Sequence, residues 1–171
     1  QTPLILESDS DSPRLYLLRY WQYEHRLGEF IRHIANSQPA NLNSELLGSG
    51  LAQLFPSAAG EPDDQVIAAY TALENQLCII TGGPGTGKTT TVLKIILLLL
   101  EQAGESPMEL ALTAPTGKAA NRLRESIQSS LAQASQEGLA NDEILSKVPA
   151  ETATIHRLLG SVRNSPRFRH D

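Results

Sequence analysis

The 171 residues hold one cysteine, one methionine and one tryptophan, and aromatic side chains make up only 5% of the chain. A lone thiol, Cys78, cannot build a disulfide framework, and its place in an apolar run points to a reducing, intracellular and cytoplasmic setting. Cationic side chains are scarce too: 14 Lys and Arg face 19 Asp and Glu, for a net charge of −5. That balance argues against a surface built wholly for nucleic acid. No run approaches the ~20 apolar residues of a membrane span, and the Ile95–Leu100 run reads as the buried face of a helix. Gln1–Ser12 is polar and acidic, so no signal peptide is visible, and a start at Gln1 rather than Met reads as a piece of a longer protein. No carboxylate cluster has the spacing of a nuclease metal site. No Asn-Lys-x-Asp stretch reads guanine, which sets aside a GTPase.

What the chain does have begins at Leu77-Cys78-Ile79-Ile80-Thr81, a short apolar run that predicts a buried strand. Gly82-Gly83-Pro84-Gly85-Thr86-Gly87-Lys88-Thr89 follows and satisfies G-x-x-x-x-G-K-[ST], the phosphate-binding P-loop. Apolar residues then continue to Glu101 without a breaker, so the loop opens a helix. Glycines at 82, 83, 85 and 87 let successive backbone N–H groups turn inward on an anion. The helix start adds unpaired N–H groups and the positive end of its dipole. Lys88 supplies a mobile charge for the β- and γ-phosphates, and the Thr89 hydroxyl suits Mg²⁺. The implied ligand is a nucleoside triphosphate.

In chain order, Leu4–Leu6 and Leu15–Trp21 predict two short strands around the turn-forming Asp9–Pro13. Tyr23, Leu27, Phe30, Ile31 and Ile34 predict an amphipathic helix, Asn36–Asn43 a polar linker, and Leu47, Leu51, Leu54 and Phe55 a second helix ended by Pro56 and Gly60. Tyr16, Tyr20, Trp21 and Tyr23 form an aromatic group that is either the core of a small appendage or a docking surface. Pro56–Pro62 marks a boundary, after which Asp63 caps a helix carrying Val66, Ile67, Tyr70 and Leu73. Gln65 in its first turn is either a surface residue or an amide paired with an adenine edge.

Beyond the P-loop helix, Leu110–Thr113 predicts a parallel strand, and Ala114–Lys118 leads into a helix with Leu123, Ile127 and Leu131 on one face. Such strand–loop–helix junctions gather at one sheet edge, so Thr116 and Lys118 are expected on the P-loop side. Asp142-Glu143 is not the acidic pair of a Walker B strand, because Gly138–Asn141 before it is not an apolar strand. Thr154 caps a short helix that Gly160 ends, and the basic tail from Arg163 to Asp171 is expected to be loose. Residues 1–112 carry six basic and thirteen acidic side chains, net −7, while residues 113–171 carry eight and six, net +2. The later part is the one suited to phosphates.

Taken together, Gly82–Thr91, Ala114–Leu123 and Thr154–Gly160 resemble motifs I, Ia and Ib of the RecD family of superfamily 1 DNA helicases, the α chain of exodeoxyribonuclease V. The similarity extends to Arg14–Arg26, and Gln65 falls where that family has its adenine-reading Gln. The resemblance implies an α/β fold. It places a partial RecA-like P-loop NTPase domain at 61–171, a mostly parallel sheet with flanking helices, after a small α+β or helical domain at 1–60. It implies an ATP-dependent helicase or translocase on single-stranded DNA, moving 5′ to 3′ in double-strand-break repair and recombination. The cofactors would be ATP and Mg²⁺. RecB-like and RecC-like subunits would be the partners, with no membrane.

By that resemblance Lys88 and Thr89 are catalytic, and Thr89 holds the metal. Gln65, Gly82, Gly83, Pro84, Gly85, Thr86, Gly87, Lys88, Thr89 and Thr90 bind nucleotide. Thr113, Pro115, Thr116, Lys118, Thr154, His156 and Arg157 bind DNA, His156 and Arg157 having the plainer alternative of capping and surface residues. The chain departs from the family in having no Walker B pair, no γ-phosphate sensor and no second RecA-like domain with its arginine finger. Since phosphoryl transfer needs metal, water and charge all positioned, this piece alone is expected to have little activity. The rival readings are another P-loop enzyme such as a nucleotide kinase, and an NTPase subunit whose role is assembly or regulation.

Overall fold

The computed structural model describes residues 3–8, 12–37, 42–56, 63–162, 165 and 168–170. The order of elements is β1 (Leu4–Glu7), β2 (Arg14–Leu17), α1 (Leu18–Ala35), α2 (Ser44–Leu54), α3 (Asp64–Glu74) and α4 (Lys88–Ala103). Then come β3 (Leu112–Ala114), α5 (Gly117–Gln136), α6 (Asp142–Lys147), β4 (Thr152–Thr154) and α7 (Ile155–Leu159). The chain is α/β, with one parallel and one antiparallel pair of strands among the described residues.

α4 organises the core. Leu93, Ile95, Ile96, Leu97, Leu98 and Leu100 are all buried, so it is apolar nearly all round, as a helix enclosed by others must be. It packs against α3 through Ala69 and Leu73, against α5 through Ile127 and Ala134, and against α2 and α6. Each fully buried Leu or Ile contributes about 1.5–3 kcal/mol, which makes α4 the main apolar anchor of this half. α2 lies within the 1–60 span that the sequence assigns to the N-terminal domain, yet Leu47, Leu54 and Phe55 join the same core.

β3 and β4 run parallel with Leu112 opposite Thr152 and Ala114 opposite Thr154, and α5 connects across them. The Thr152 hydroxyl donates to Ala120 O at 2.7 Å, and the small, buried Ala114 and Ala120 let helix and strand approach closely. β4 is absent from the sequence expectation, which begins a helix there.

Four further expectations are corrected. Leu77–Thr81 is not a buried strand: it pairs with no described residue. Its residues alternate, Ile80 packing on the core while Ile79 is 80% exposed. The second predicted strand ends at Leu17, and Leu18–Trp21 is already helix. α1 follows its periodicity, but its apolar stripe of Tyr23, Leu27, Phe30 and Ile31 is exposed and none of its residues is buried. The aromatic group is accordingly no core: Tyr20 and Tyr23 are open to solvent and Trp21 stacks on His25 at 4.8 Å. β1, β2 and α1 make their main contacts with one another.

The tail is the fourth correction. Its described residues fold back rather than hang loose: Arg169 N donates to Leu159 O and Gly160 O, and Ser161 pairs with Phe168. Pro56 is described; residues 57–62 of the expected boundary, Gly60 among them, and 38–41 of the expected linker, lie outside the described residues. Among the described residues no helix is long and apolar enough to cross a membrane.

Candidate nucleotide site and nucleic-acid edge

α3 and the P-loop enclose a cavity of about 490 Å³ lined by Asp63, Asp64, Gln65, Ala68, Ile80, Thr81, Gly82, Thr86, Lys88 and Thr91. Asp63 caps α3 by accepting from Gln65 N at 2.8 Å, which fixes the backbone of Gln65 at the cavity wall. Gln65 then reaches the loop: a Cβ added to Gly87 would sit 3.2 Å from its Nε2. Gly87 is the N-cap of α4 and has φ +76°, a conformation that favours glycine. Gly85 is also left-handed at φ +77°, whereas Gly82 and Gly83 are not, so only two of the four loop glycines use the freedom the sequence reading assigned to all.

Lys88 is folded into the loop it belongs to. Its Nζ donates to Gly82 O at 2.9 Å, to Gly83 O, and to Thr86 Oγ1 at 3.2 Å. Thr86 Oγ1 in turn donates to Gly83 O at 3.0 Å. The ammonium is thereby held by two loop carbonyls and a hydroxyl, and Lys88 lines the cavity that an incoming anion would enter. Thr91 is 3% exposed and donates to Gly87 O at 3.1 Å, bracing the first turn of α4 from beneath. Thr90 lies elsewhere, lining a separate cavity of about 60 Å³ with Leu93 and Lys94. Thr89 follows Lys88 in the first turn but does not line the 490 Å³ cavity.

The other predicted contacts form a second group. The parallel register sets Ala114 beside Thr154, so the chain leaves β3 and β4 at the same end of the pair. Pro115, Thr116 and Lys118 leave from β3 and are exposed; Thr113 remains half-buried within the strand. His156 and Arg157 leave from β4 and are also exposed. Thr116 caps α5 by accepting from Ala119 N at 3.3 Å, and Thr154 caps α7 by accepting from Arg157 N at 3.2 Å. Two strand–helix junctions thus present hydroxyls and cations along one edge. None of these residues lines the nucleotide cavity.

A family model described as the AAA domain matches residues 65–171, well over half of the chain. The chain belongs to this AAA family. It is also similar to RecBCD enzyme subunit RecD of Haemophilus influenzae, at 36% identity over 147 residues, which are 85% of this chain and 23% of the relative. The RecD subunit of Mycobacterium tuberculosis is 39% identical over 165 residues, 94% of this chain and 26% of the relative. The ATP-dependent RecD2 DNA helicase of Deinococcus radiodurans is 34% identical over 151 residues, 86% of this chain and 17% of the relative. The chain therefore spans about a quarter of the length of the curated RecD relatives it matches.

At the cavity wall the sequence reading missed Asp63, Asp64, Ala68, Ile80, Thr81 and Thr91 as site residues. Ala68 sits three after Gln65 in α3, so the helical period would have found it once Gln65 was taken as facing the loop; Asp64 is the immediate neighbour of Gln65 and does not follow from the period. Thr91 follows from the same period, three residues after Lys88.

Proposed function

We propose that this chain carries the nucleotide-binding part of an ATP-driven helicase or translocase acting on single-stranded DNA, in a full-length protein of the RecD kind. The observation that carries the reading is the convergence of Gln65 with Gly82, Thr86 and Lys88 of the P-loop on one cavity. Its volume falls within the usual range of small-molecule sites, roughly 300–1,000 Å³. The adenine edge meets the Gln65 amide, and the phosphates meet the loop N–H groups and Lys88. The loop suits a phosphate chain, since two of its glycines adopt the left-handed conformation of such loops and its lysine lines the cavity. Thr89 would hold Mg²⁺, which neutralises phosphate charge when it is bound. Lys88 stabilises the charge that develops on the γ-phosphate.

The edge formed by Thr113, Pro115, Thr116, Lys118, Thr154, His156 and Arg157 takes the DNA backbone. Hydroxyls and cations there bind phosphates without reading sequence. Movement is 5′ to 3′, in the cytoplasm, with RecB-like and RecC-like subunits as partners; the name RecBCD enzyme subunit RecD, which the relatives carry, supports the partners alone. Of the N-terminal unit at 1–60, β1, β2 and α1 serve assembly, while α2 packs with the motor at 61–171. Residues of the full-length protein outside this chain pair with Leu77–Thr81 and supply the metal-holding and water-orienting groups.

One observation favours the alternative of an NTPase subunit with an assembly or regulatory role, namely the exposed apolar stripe of α1. Titration of the full-length protein with fluorescent ATP and GTP analogues, then with labelled oligothymidylate at two salt concentrations, separates the two. Tight ATP binding lost in Lys88→Ala, together with salt-sensitive DNA binding, is the expected result. ATP binding with no DNA affinity would favour the assembly role.

A further inference from the structure

Residues 152–170 contain four Arg, two His and no Asp or Glu, in a chain whose net charge is −5. The structure folds the end of this acid-free stretch back onto its beginning. Gly160 turns the chain with φ +67°, Ser161 N donates to His156 O at 3.2 Å, and Ser161 bridges to Phe168. Arg169 N donates to Leu159 O and Gly160 O at 3.0 and 2.9 Å, and the Arg169 stem lies over Gly160, with Cβ 3.2 Å from where a glycine side chain would begin. This brings the partly exposed Phe168 ring edge-on to His156, with centroids 5.8 Å apart and planes at 61°. Arg157 and Arg169 are both exposed, and neither has an ion-pair partner among the described residues.

An aromatic ring in a stretch with cations that form no ion pair among the described residues is the combination that holds single-stranded nucleic acid: cations track the phosphates and rings take the bases. An acidic protein surface would use the cations but gain nothing from the ring. We propose that Phe168 and Arg169, folded back beside His156 and Gly160, extend the single-stranded DNA contact, the Phe168 ring stacking on a base and the Arg169 guanidinium binding a phosphate. This rests on the DNA-translocase reading above. Stacking on a ring tolerates any base, which suits an enzyme that must move along every sequence.

Binding of labelled oligothymidylate by the full-length protein tests it. Phe168→Leu keeps an apolar side chain against His156 but removes the aromatic face, and should weaken binding about fivefold or more. Phe168→Tyr should restore it. Arg169→Gln keeps both backbone hydrogen bonds and should flatten the log–log salt dependence by roughly 0.7, the value for one phosphate contact on a single strand. Phe168→Leu and Arg169→Gln binding like the wild type, while Lys118→Gln and Arg157→Gln lose affinity, would overturn the proposal and leave the DNA reading standing. Equal losses in Phe168→Leu and Phe168→Tyr, each with a lowered melting temperature, would assign Phe168 to packing and also overturn it. A wild-type protein with no salt-sensitive affinity would remove both readings.

Discussion

Replacing Gly87 by alanine isolates what the loop geometry is worth. At φ +76° an L residue costs about 1–2 kcal/mol relative to glycine. The new Cβ would also stand 3.2 Å from Gln65 Nε2, a flexible end that moves aside readily. The free loop escapes the strain by shifting, and nucleotide binding must then force it back, so the cost emerges as lost affinity. At 1.4 kcal/mol per factor of ten, ATP should bind roughly 5- to 30-fold more weakly. Displacement of Gln65 should at the same time lower the preference for ATP over GTP.

Gly138→Ala is the control. It has nearly the same dihedral, φ +65°, with nothing within 4 Å of the added Cβ, and it lies in the turn after α5. It should lower the melting temperature while ATP affinity stays unchanged. The assay is equilibrium titration of both full-length variants with fluorescent ATP and GTP analogues. Wild-type ATP affinity in Gly87→Ala, alongside a destabilised Gly138→Ala, would refute the claim that this loop conformation holds phosphate.

Three other outcomes follow. Gln65→Ala should lose the ATP-over-GTP preference by about tenfold, because two neutral hydrogen bonds contribute roughly 0.5–1.5 kcal/mol each; competition titration reads this. Thr154→Val removes the acceptor for Arg157 N and should cost about 0.5–2 kcal/mol of stability, measured by denaturant unfolding, with Thr154→Ser nearly neutral. The isolated 171-residue chain should self-associate through the unpaired Leu77–Thr81 edge, where Ile79 is 80% exposed. Ile79→Lys should return it to a monomer by sedimentation, and an unchanged association state would place the contact elsewhere.

Much of this architecture was legible because its signals are local. The cap at Asp63, the P-loop, the period of Leu123, Ile127 and Leu131, and the pairing of Thr154 with Gly160 all act within one or two turns of helix. What stayed hidden depends on distant partners. β4 is three residues long and exists only because β3 lies beside it. Leu77–Thr81 has the composition of a central strand, but a strand needs neighbours and composition does not name them. The amphipathic pattern of α1 correctly gave a helix, yet an apolar stripe states only that something suits it, and no described element covers Leu27 and Phe30. The tail folds through backbone donors of Arg169 and His170, and backbone groups leave no mark on the residue pattern. At the site, the loop residues announced themselves by motif, whereas Thr91 is recognisable only after α4 is known to be helical through its first turn.

The most direct test of the central claim is the rate of ATP hydrolysis by the full-length protein with and without single-stranded DNA, in the wild type and in Lys88→Ala. The account predicts strong stimulation by DNA in the wild type and no hydrolysis in the variant. Hydrolysis that needs Lys88 but is indifferent to DNA would contradict it, leaving a nucleotide site without a DNA-driven motor.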